Sequence, residues 1–191
     1  MSDEMHQLPD EALLRLARQF DQTALAELFD RYNHGLYYYA LRLLGDPALA
    51  EDCAAEIFSR LLRALRDGAG PTDNLKAYLY RSAHNWITDH YRRTPPLPLD
   101  PDGDLAEPDS DPGKQAELNI TQARVRAAIR LLTPEQRQVI ALRFIEGWEL
   151  DEIAASLHKP VGAVKALQHR AVAALQKMLV EKSETIYEPQ I

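Results

Sequence analysis

The sequence predicts an all-α chain: two small helical domains joined by an acidic Pro/Asp-rich linker, the C-terminal one carrying a helix-turn-helix. Three observations carry this reading. Apolar residues recur at three- and four-residue spacing in four segments before the linker and four after it, with no β-hairpin signal and no internal repeat. The stretch TPPLPLDPDGDLAEPDSDP, from Thr94 to Pro112, has almost nothing to bury and reads as an extended tether. The stretch from Trp148 to Leu175 reads as two helices about a tight turn. The resulting organisation is a domain over 1–94, a linker over 95–116, a second domain over 117–182 and a tail over 183–191.

The first helix is signalled at Pro9-Asp10-Glu11, with Leu13, Leu16, Ala17 and Phe20 at helical spacing. The second runs from Thr23 to Leu44 and carries Leu25, Leu28, Phe29, Tyr32, Leu36, Tyr39, Ala40 and Leu43 on one side. Gly45 closes it. Asp46 suits an N-cap and Pro47 the first helical position, so the third helix occupies Ala48 to Arg66. Asp67 to Asp73, DGAGPTD, is a loop by composition, and the fourth helix is Leu75 to Arg93. Beyond the linker, helical periodicity returns with Leu118, Ala123, Val125, Ala128, Ile129 and Leu132. Thr133-Pro134-Glu135-Gln136 has the form of a capping box, starting a helix through Val139, Ile140, Leu142, Arg143 and Phe144 that stops at Gly147.

Leu150, Ile153, Ala154 and Leu157 then make the apolar stripe of a short helix whose other side carries Asp151 and Glu152. His158-Lys159-Pro160 interrupts the period, because proline lacks an amide proton and disfavours an α conformation before it. A further helix starts at Val161, with Val164, Ala171, Val172 and Leu175 marking its buried side and Lys165, His169 and Arg170 its polar side. In the helix-turn-helix plan this second helix enters the DNA major groove. A plain helical hairpin shares the spacing, and spacing alone leaves both open.

The net charge of −7 opposes a nucleic-acid role at first sight. Its distribution does not. Lys76, Arg81, Arg92 and Arg93 face Asp89 alone, and Lys159, Lys165, Arg170, Lys177 and Lys182 face Glu181, while seven carboxylates between Asp100 and Glu117 face Lys114. The single cysteine, Cys53, can form no internal disulfide, has no metal-ligand neighbour, and reads as a small buried side chain. Six scattered histidines, no glycine-rich phosphate loop and no nucleophile elbow argue against an enzyme; no metal or cofactor is expected. The acidic opening MSDEMHQLPDE lacks the build of a signal peptide, and no apolar run suits a membrane helix, so a cytoplasmic protein without membrane insertion is expected.

Residue wording sharpens the functional class. ELDEIAASLHKPVGAVKALQHRAVAAL resembles the DNA-binding half of extracytoplasmic-function (ECF) sigma factors of the sigma-70 superfamily, through Leu150, Glu152, Ile153, Ala154, Leu157, Val161, Gly162, Val164, Lys165, His169, Arg170, Ala171 and Leu175. DPALAEDCAAEIFSRLLRAL is similar to a second signature of that family through Asp46, Ala50, Glu51, Asp52, Glu56, Phe58 and Leu62. NLKAYLYRSAHNWITDHYRR is similar to a third, through Tyr78 to Arg81, Ala83, Asn85, Ile87, Asp89, Arg92 and Arg93. The signatures follow the family's order and cover most of Asp21 to Leu179 apart from the linker.

The resemblance implies a promoter-specificity subunit of bacterial RNA polymerase that catalyses nothing itself. Its N-terminal domain would dock on the beta-prime clamp and open the minus-ten DNA. Its C-terminal domain would hold the minus-thirty-five element and meet the beta flap. Glu51, Asp52, Glu56 and Phe58 would face the polymerase, against the bland reading of a solvated acidic face. Lys76, Arg81, Asn85, Arg92 and Arg93 would receive the opened strand, with Tyr78, Tyr80, Trp86 and Tyr91 nearby as stacking faces or core, beside the Asp67–Asn74 loop that relatives use to read a flipped base. Lys159, Gly162, Ala163, Lys165, Ala166, His169 and Arg170 would meet the duplex, the amides of Gly162 and Ala163 offering themselves to a phosphate.

Departures from the family pattern fall at both surfaces. Ala55 stands where relatives carry glutamine; Ala163, Ala166 and Leu167 stand where they often carry threonine, serine and arginine, and Gln168 where they often carry leucine. Leu167 either packs inward or meets a thymine methyl. The acidic linker is either a spacer or an imitation of nucleic acid inside the polymerase. Many relatives are restrained by an anti-sigma factor, which the sequence neither names nor excludes. The rival is a helix-turn-helix regulator of the response-regulator or quorum-sensing type, whose N-terminal half would carry strands.

Overall fold

The computed structural model describes the backbone of residues 6–94 and 112–184 and the side chains of residues 6–94 and 120–180. The described residues are helical throughout, without a strand, and the chain divides into two compact units, Met1–Asp89 and His90–Ile191. The expected linker lies largely outside the described residues, as does the tail beyond residue 184; the last residues assigned to the linker, from Pro112, already belong to a helix.

Before the linker, α1 is Asp10–Ala17, α2 Gln22–Leu44, α3 Pro47–Arg66 and α4 Leu75–Arg93, the first unit taking α4 as far as Asp89. Local chemistry sets the boundaries. The Asp21 carboxylate accepts from the Ala24 amide (2.9 Å) to start α2. Gly45 ends α2 in the left-handed region (φ 74°), where a Cβ would be strained. Asp46 caps α3 through the amides of Ala48 and Leu49, and Pro47 takes the first turn as expected. The core gathers Leu13 and Leu14 of α1, Leu28, Leu36, Tyr39 and Leu43 of α2, Ile57 and Leu61 of α3, and Leu75, Leu79 and Ile87 of α4, all fully buried. Each such aliphatic side chain contributes about 1.5–3 kcal/mol. Two positions expected on the buried sides are exposed: α1 stops at Ala17, leaving Phe20 outside at φ 60°, and Phe29 lies on the outer edge of α2; Leu16 and Leu25 are half-buried.

A polar seam joins α1 to α2. Arg31 donates to Glu27 (2.9 Å) and Asp10 (2.7 Å), His6 lies 2.6 Å from Glu27, and the Tyr32 hydroxyl donates to Asp10. Burial pushes the Glu27 carboxyl up, but the hydrogen bonds and charges of Arg31 and His6 outweigh it and hold the group below its ordinary value. Cys53 is buried, and that burial pushes its thiol up to about 12, which keeps it a packing group rather than a nucleophile.

The second unit is lighter. Helix α5 is Pro112–Leu131, α6 Pro134–Ile140, α7 Leu150–Leu157 and α8 Val161–Glu184. The Thr133–Gln136 capping box forms as the sequence predicts. Leu132, Ile140 and Ala171 make a core cluster flanked by Val172, Ala174 and Leu175. Buried Arg137 donates to the carbonyls of Ile129 (3.3 Å), Arg130 (3.0 Å) and Leu132 (3.0 Å), satisfying the end of α5. The expected continuation of α6 through Phe144 is instead a wide π turn, Ala141–Ile145, in which the Glu146 amide reaches back to the Ala141 carbonyl (3.1 Å). The extra residue keeps Ala141 and Leu142 inside and turns Phe144 out, 60% exposed.

Candidate nucleic-acid interface

The helix-turn-helix is held by short-range bonds on both sides. Arg143 donates to the Trp148 carbonyl (2.8 Å) and pairs with Glu149 (3.0 Å), while the Glu149 amide donates to the Glu152 carboxylate (2.7 Å) at the start of α7. Helix α7 ends because His158 adopts the left-handed region (φ 53°) and the Lys159 amide returns to the Ala154 carbonyl (3.0 Å). The Pro160 carbonyl then accepts from Ala163 (2.9 Å) and Val164 (3.2 Å), opening α8.

Two details differ from expectation. The Ala163 amide is engaged by Pro160 and does not stand open for a phosphate; at Gly162 an added Cβ would meet nothing within 4 Å, so that end of the helix is uncovered. Lys159 pairs with Glu135 (2.9 Å) at the start of α6, which ties the turn to its neighbour.

Along α8, Val164, Leu167 and Ala171 are buried, and Leu167, at 7% exposure, packs inward rather than outward. Gly162, Ala163, Lys165, Ala166, His169 and Arg170 are exposed. At ~100° per residue, Lys165 and Arg170 stand about 140° apart, with Ala166 and His169 between them. The exposed side is therefore a ridge whose small residues, Gly162 and Ala166, are interrupted by His169 and flanked by two cations, a shape that lets the backbone near Gly162 and Ala166 approach a groove floor while the longer side chains reach its edges and walls. Beside it, Phe144, Leu150, Val172 and Gln168 line a cleft that also touches Lys165 and His169.

On α4, Lys76 and Arg81 are half-buried and Asn85, Arg92 and Arg93 are exposed. Arg81, Asn85 and Arg92 fall within about 40° of one another on the helix, whereas Lys76 and Arg93 point elsewhere. Tyr80 belongs to the core: its ring meets Tyr39 edge-on at 5.3 Å, and its hydroxyl sits where a Cβ on Gly35 would come within 2.6 Å. Tyr78 and Trp86 are half-buried. Buried His84 links the Tyr39 hydroxyl (3.1 Å) to Thr88 (3.3 Å), fixing α4 against α2.

Sequence reasoning missed Arg18. Its guanidinium donates to the carbonyls of Gly70 (3.0 Å), Pro71 (3.1 Å) and Gly68 (3.4 Å), reaching some fifty positions along the chain into the α3–α4 loop. Gly70 is needed there because a Cβ would strike the Leu65 side chain at 2.7 Å and its backbone nitrogen at 3.3 Å. No local pattern announces such a bond.

On α3, Glu51 and Asp52 are exposed, while Glu56 accepts from Arg60 (2.8 Å) and Arg63 (3.0 Å), which hold its carboxyl below the usual range. Phe58, expected at the surface, is 8% exposed and packs against Phe29 at 4.7 Å between ring centroids. The outward apolar area is carried by Phe29 and Leu62, both exposed. Ala55 borders a cleft with Asp52, Glu56, Ser59 and Trp86.

Comparison with known proteins places these elements. Sigma-70 region 2 matches residues 28–95, which hold most of α2 with α3 and α4, and sigma-70 region 4 matches residues 128–177, which hold the helix-turn-helix. The ECF RNA polymerase sigma factor SigW of Bacillus subtilis is 31% identical over 183 residues, covering 87% of this chain and 94% of SigW. BldN of Streptomyces coelicolor, also an ECF RNA polymerase sigma factor, is 29% identical over 170 residues, covering 87% of this chain and 64% of BldN. Among solved structures, CnrH in complex with the cytosolic domain of CnrY superposes with a TM-score of 0.66 at 26% identity, over 90% of this chain and 97% of that one. With region 2 matched over residues 28–95, and no strand among the described residues, the reading as a regulator of the response-regulator type is not favoured. The chain belongs to the ECF group of sigma-70 factors and is thus a non-catalytic specificity subunit that directs bacterial RNA polymerase to promoters.

Proposed function

We propose that this sigma factor divides its work between the ridge of α8, which reads minus-thirty-five duplex, and the α4 face with the Asp67–Asn74 loop, which receives the opened minus-ten strand. The observation that carries the reading is the sidedness of α8: Lys165, His169 and Arg170 are exposed over the same turns in which Val164, Leu167 and Ala171 are buried. Lys165 and Arg170 supply phosphate or base-edge contacts from opposite flanks. Lys159, paired with Glu135, serves the turn before it serves DNA. On α4, Arg81, Asn85 and Arg92 follow the strand.

The α3 surface docks on the polymerase clamp through Glu51 and Asp52, with Phe29 and Leu62 as the apolar component and Phe58 supporting Phe29 from beneath. The exposed Phe144 and its cleft are the proposed contact for the beta flap. No helix among the described residues is long and apolar enough to cross a membrane, and the protein is proposed to act in the cytoplasm with the polymerase. CnrH was solved with the cytosolic domain of CnrY, which supports a restraining protein partner, an anti-sigma factor, for this chain as well. In vitro transcription with purified core enzyme and genomic DNA, with the transcript starts sequenced, tests the whole reading. Initiation at a defined promoter class is expected, and starts no more specific than those of bare core enzyme would overturn it.

A further inference from the structure

We propose that Arg18 is a positioning residue for base capture, holding the α3–α4 loop in the shape in which Thr72 and Asp73 meet an extruded base. The inference rests on the reading of that loop as the base-reading element. What the geometry adds is how the loop is held ready. Arg18 caps the end of α1, where its own amide returns to the Leu14 carbonyl (3.0 Å), and the chain then reverses at Phe20 (φ 60°) into the Asp21 cap of α2. Its backbone is therefore fixed by two helix ends. From that corner one planar guanidinium gathers three carbonyls, those of Gly68, Gly70 and Pro71.

The two ends of the loop are pinned independently. At the α3 side, the Ala69 amide donates to the Ala64 carbonyl (2.9 Å) and Gly68 adopts φ 72°. At the α4 side, Asn74 adopts φ 40° and its side chain accepts from the Ala77 amide (3.2 Å). With both ends and the middle held, Thr72 and Asp73 are the exposed pair between the Arg18-bound carbonyls and the Asn74 cap. A lysine cannot reproduce the fork, since its single ammonium has no fixed plane from which to reach three carbonyls together. A loop ordered before the base arrives loses less freedom on capturing it.

The test uses holoenzyme assembled from core polymerase and the full chain carrying Arg18→Ala, Arg18→Lys or the double change Thr72→Ala with Asp73→Ala. Transcription is measured from a promoter panel substituted base by base across the minus-ten element, alongside permanganate reactivity of its thymines, core binding and the thermal melt. Arg18→Ala is expected to flatten base preference by about tenfold, the size of one good base contact, with core and minus-thirty-five binding retained. Arg18→Lys should fall between it and wild type. If the double variant flattens preference and both Arg18 variants keep it, Arg18 is a structural tie alone and the proposal fails. If the double variant itself changes nothing, the reading of the loop fails first. Should Arg18→Ala not fold, Arg18→Lys decides: unchanged preference in that folded variant overturns the proposal.

Discussion

Helix α4 is buried at Leu75, Ala77, Leu79, Tyr80, Ala83, His84 and Ile87, and a polar link through His84 ties it to α2; the opening turns of α8 touch their unit through Val164, Leu167 and Ala171. Both helices carry the cations of the proposed DNA-binding surfaces, yet α4 is buried at most positions around those cations, whereas the opening turns of α8 are buried along one side only. The contrast follows from what each is proposed to hold. Intact duplex brings its own groove, so a ridge suffices. An extruded base arrives only after a few kcal/mol of unstacking, so its receiving surface has to be in place beforehand. The Arg18-held loop beside α4 belongs to the same logic, with placement achieved before binding.

Truncating one packed leucine on each helix puts the contrast to its hardest test. Leu79→Ala, in the fully buried part of α4, should cost about 2–5 kcal/mol by urea denaturation, and Leu167→Ala at the edge of the α8 contact should fall at or below the low end of that range. Equal costs would remove the distinction between a helix buried at most positions and one buried along a single side. Next come the DNA contacts. Lys165→Ala and Arg170→Ala should each lower the salt slope of minus-thirty-five duplex binding by about one unit, whereas Arg81→Ala and Asn85→Ala should leave that slope alone and reduce permanganate reactivity at minus-ten thymines. If all four variants lose duplex binding alike, the division of labour is wrong.

The polar seam of the first unit gives a pH signature. The folded Glu27 carboxyl titrates below its ordinary value of 4.5, so its contribution is complete above that value and is lost as pH falls through the lowered folded pKa. Glu27→Gln should therefore be less stable than wild type at neutral pH, with the gap closing under acid. A gap constant with pH would show that shape rather than charge is what the seam requires. The mildest change is at the turn. Lys159→Ala should cost no more than about 1 kcal/mol, as a half-exposed pair with Glu135, and should change the salt slope less than Lys165→Ala does.

Most of what is settled within four or five residues was legible in the chain's own wording, the π turn at Ala141–Ile145 and the early end of α1 being the exceptions. The Asp46 cap, Pro47 at the first turn, the Thr133–Gln136 box, the break at His158-Lys159-Pro160, the ends of α4 and α7 and the start of α8 are local backbone chemistry, written in the residues that perform it. Motif wording also sufficed for the family, because three signatures in order leave little room for another fold. Matters between segments were settled only by folding. Phe58 and Tyr80 go inside because Phe29, Tyr39 and Gly35 of another helix await them, Leu167 packs inward, Lys159 finds Glu135, and Arg18 finds a loop fifty positions away. Helical periodicity says that a residue lies on an apolar side, but not whether a neighbour covers its edge. That depends on which helices pack together, a consequence of closing the whole core and not of any single stretch of it.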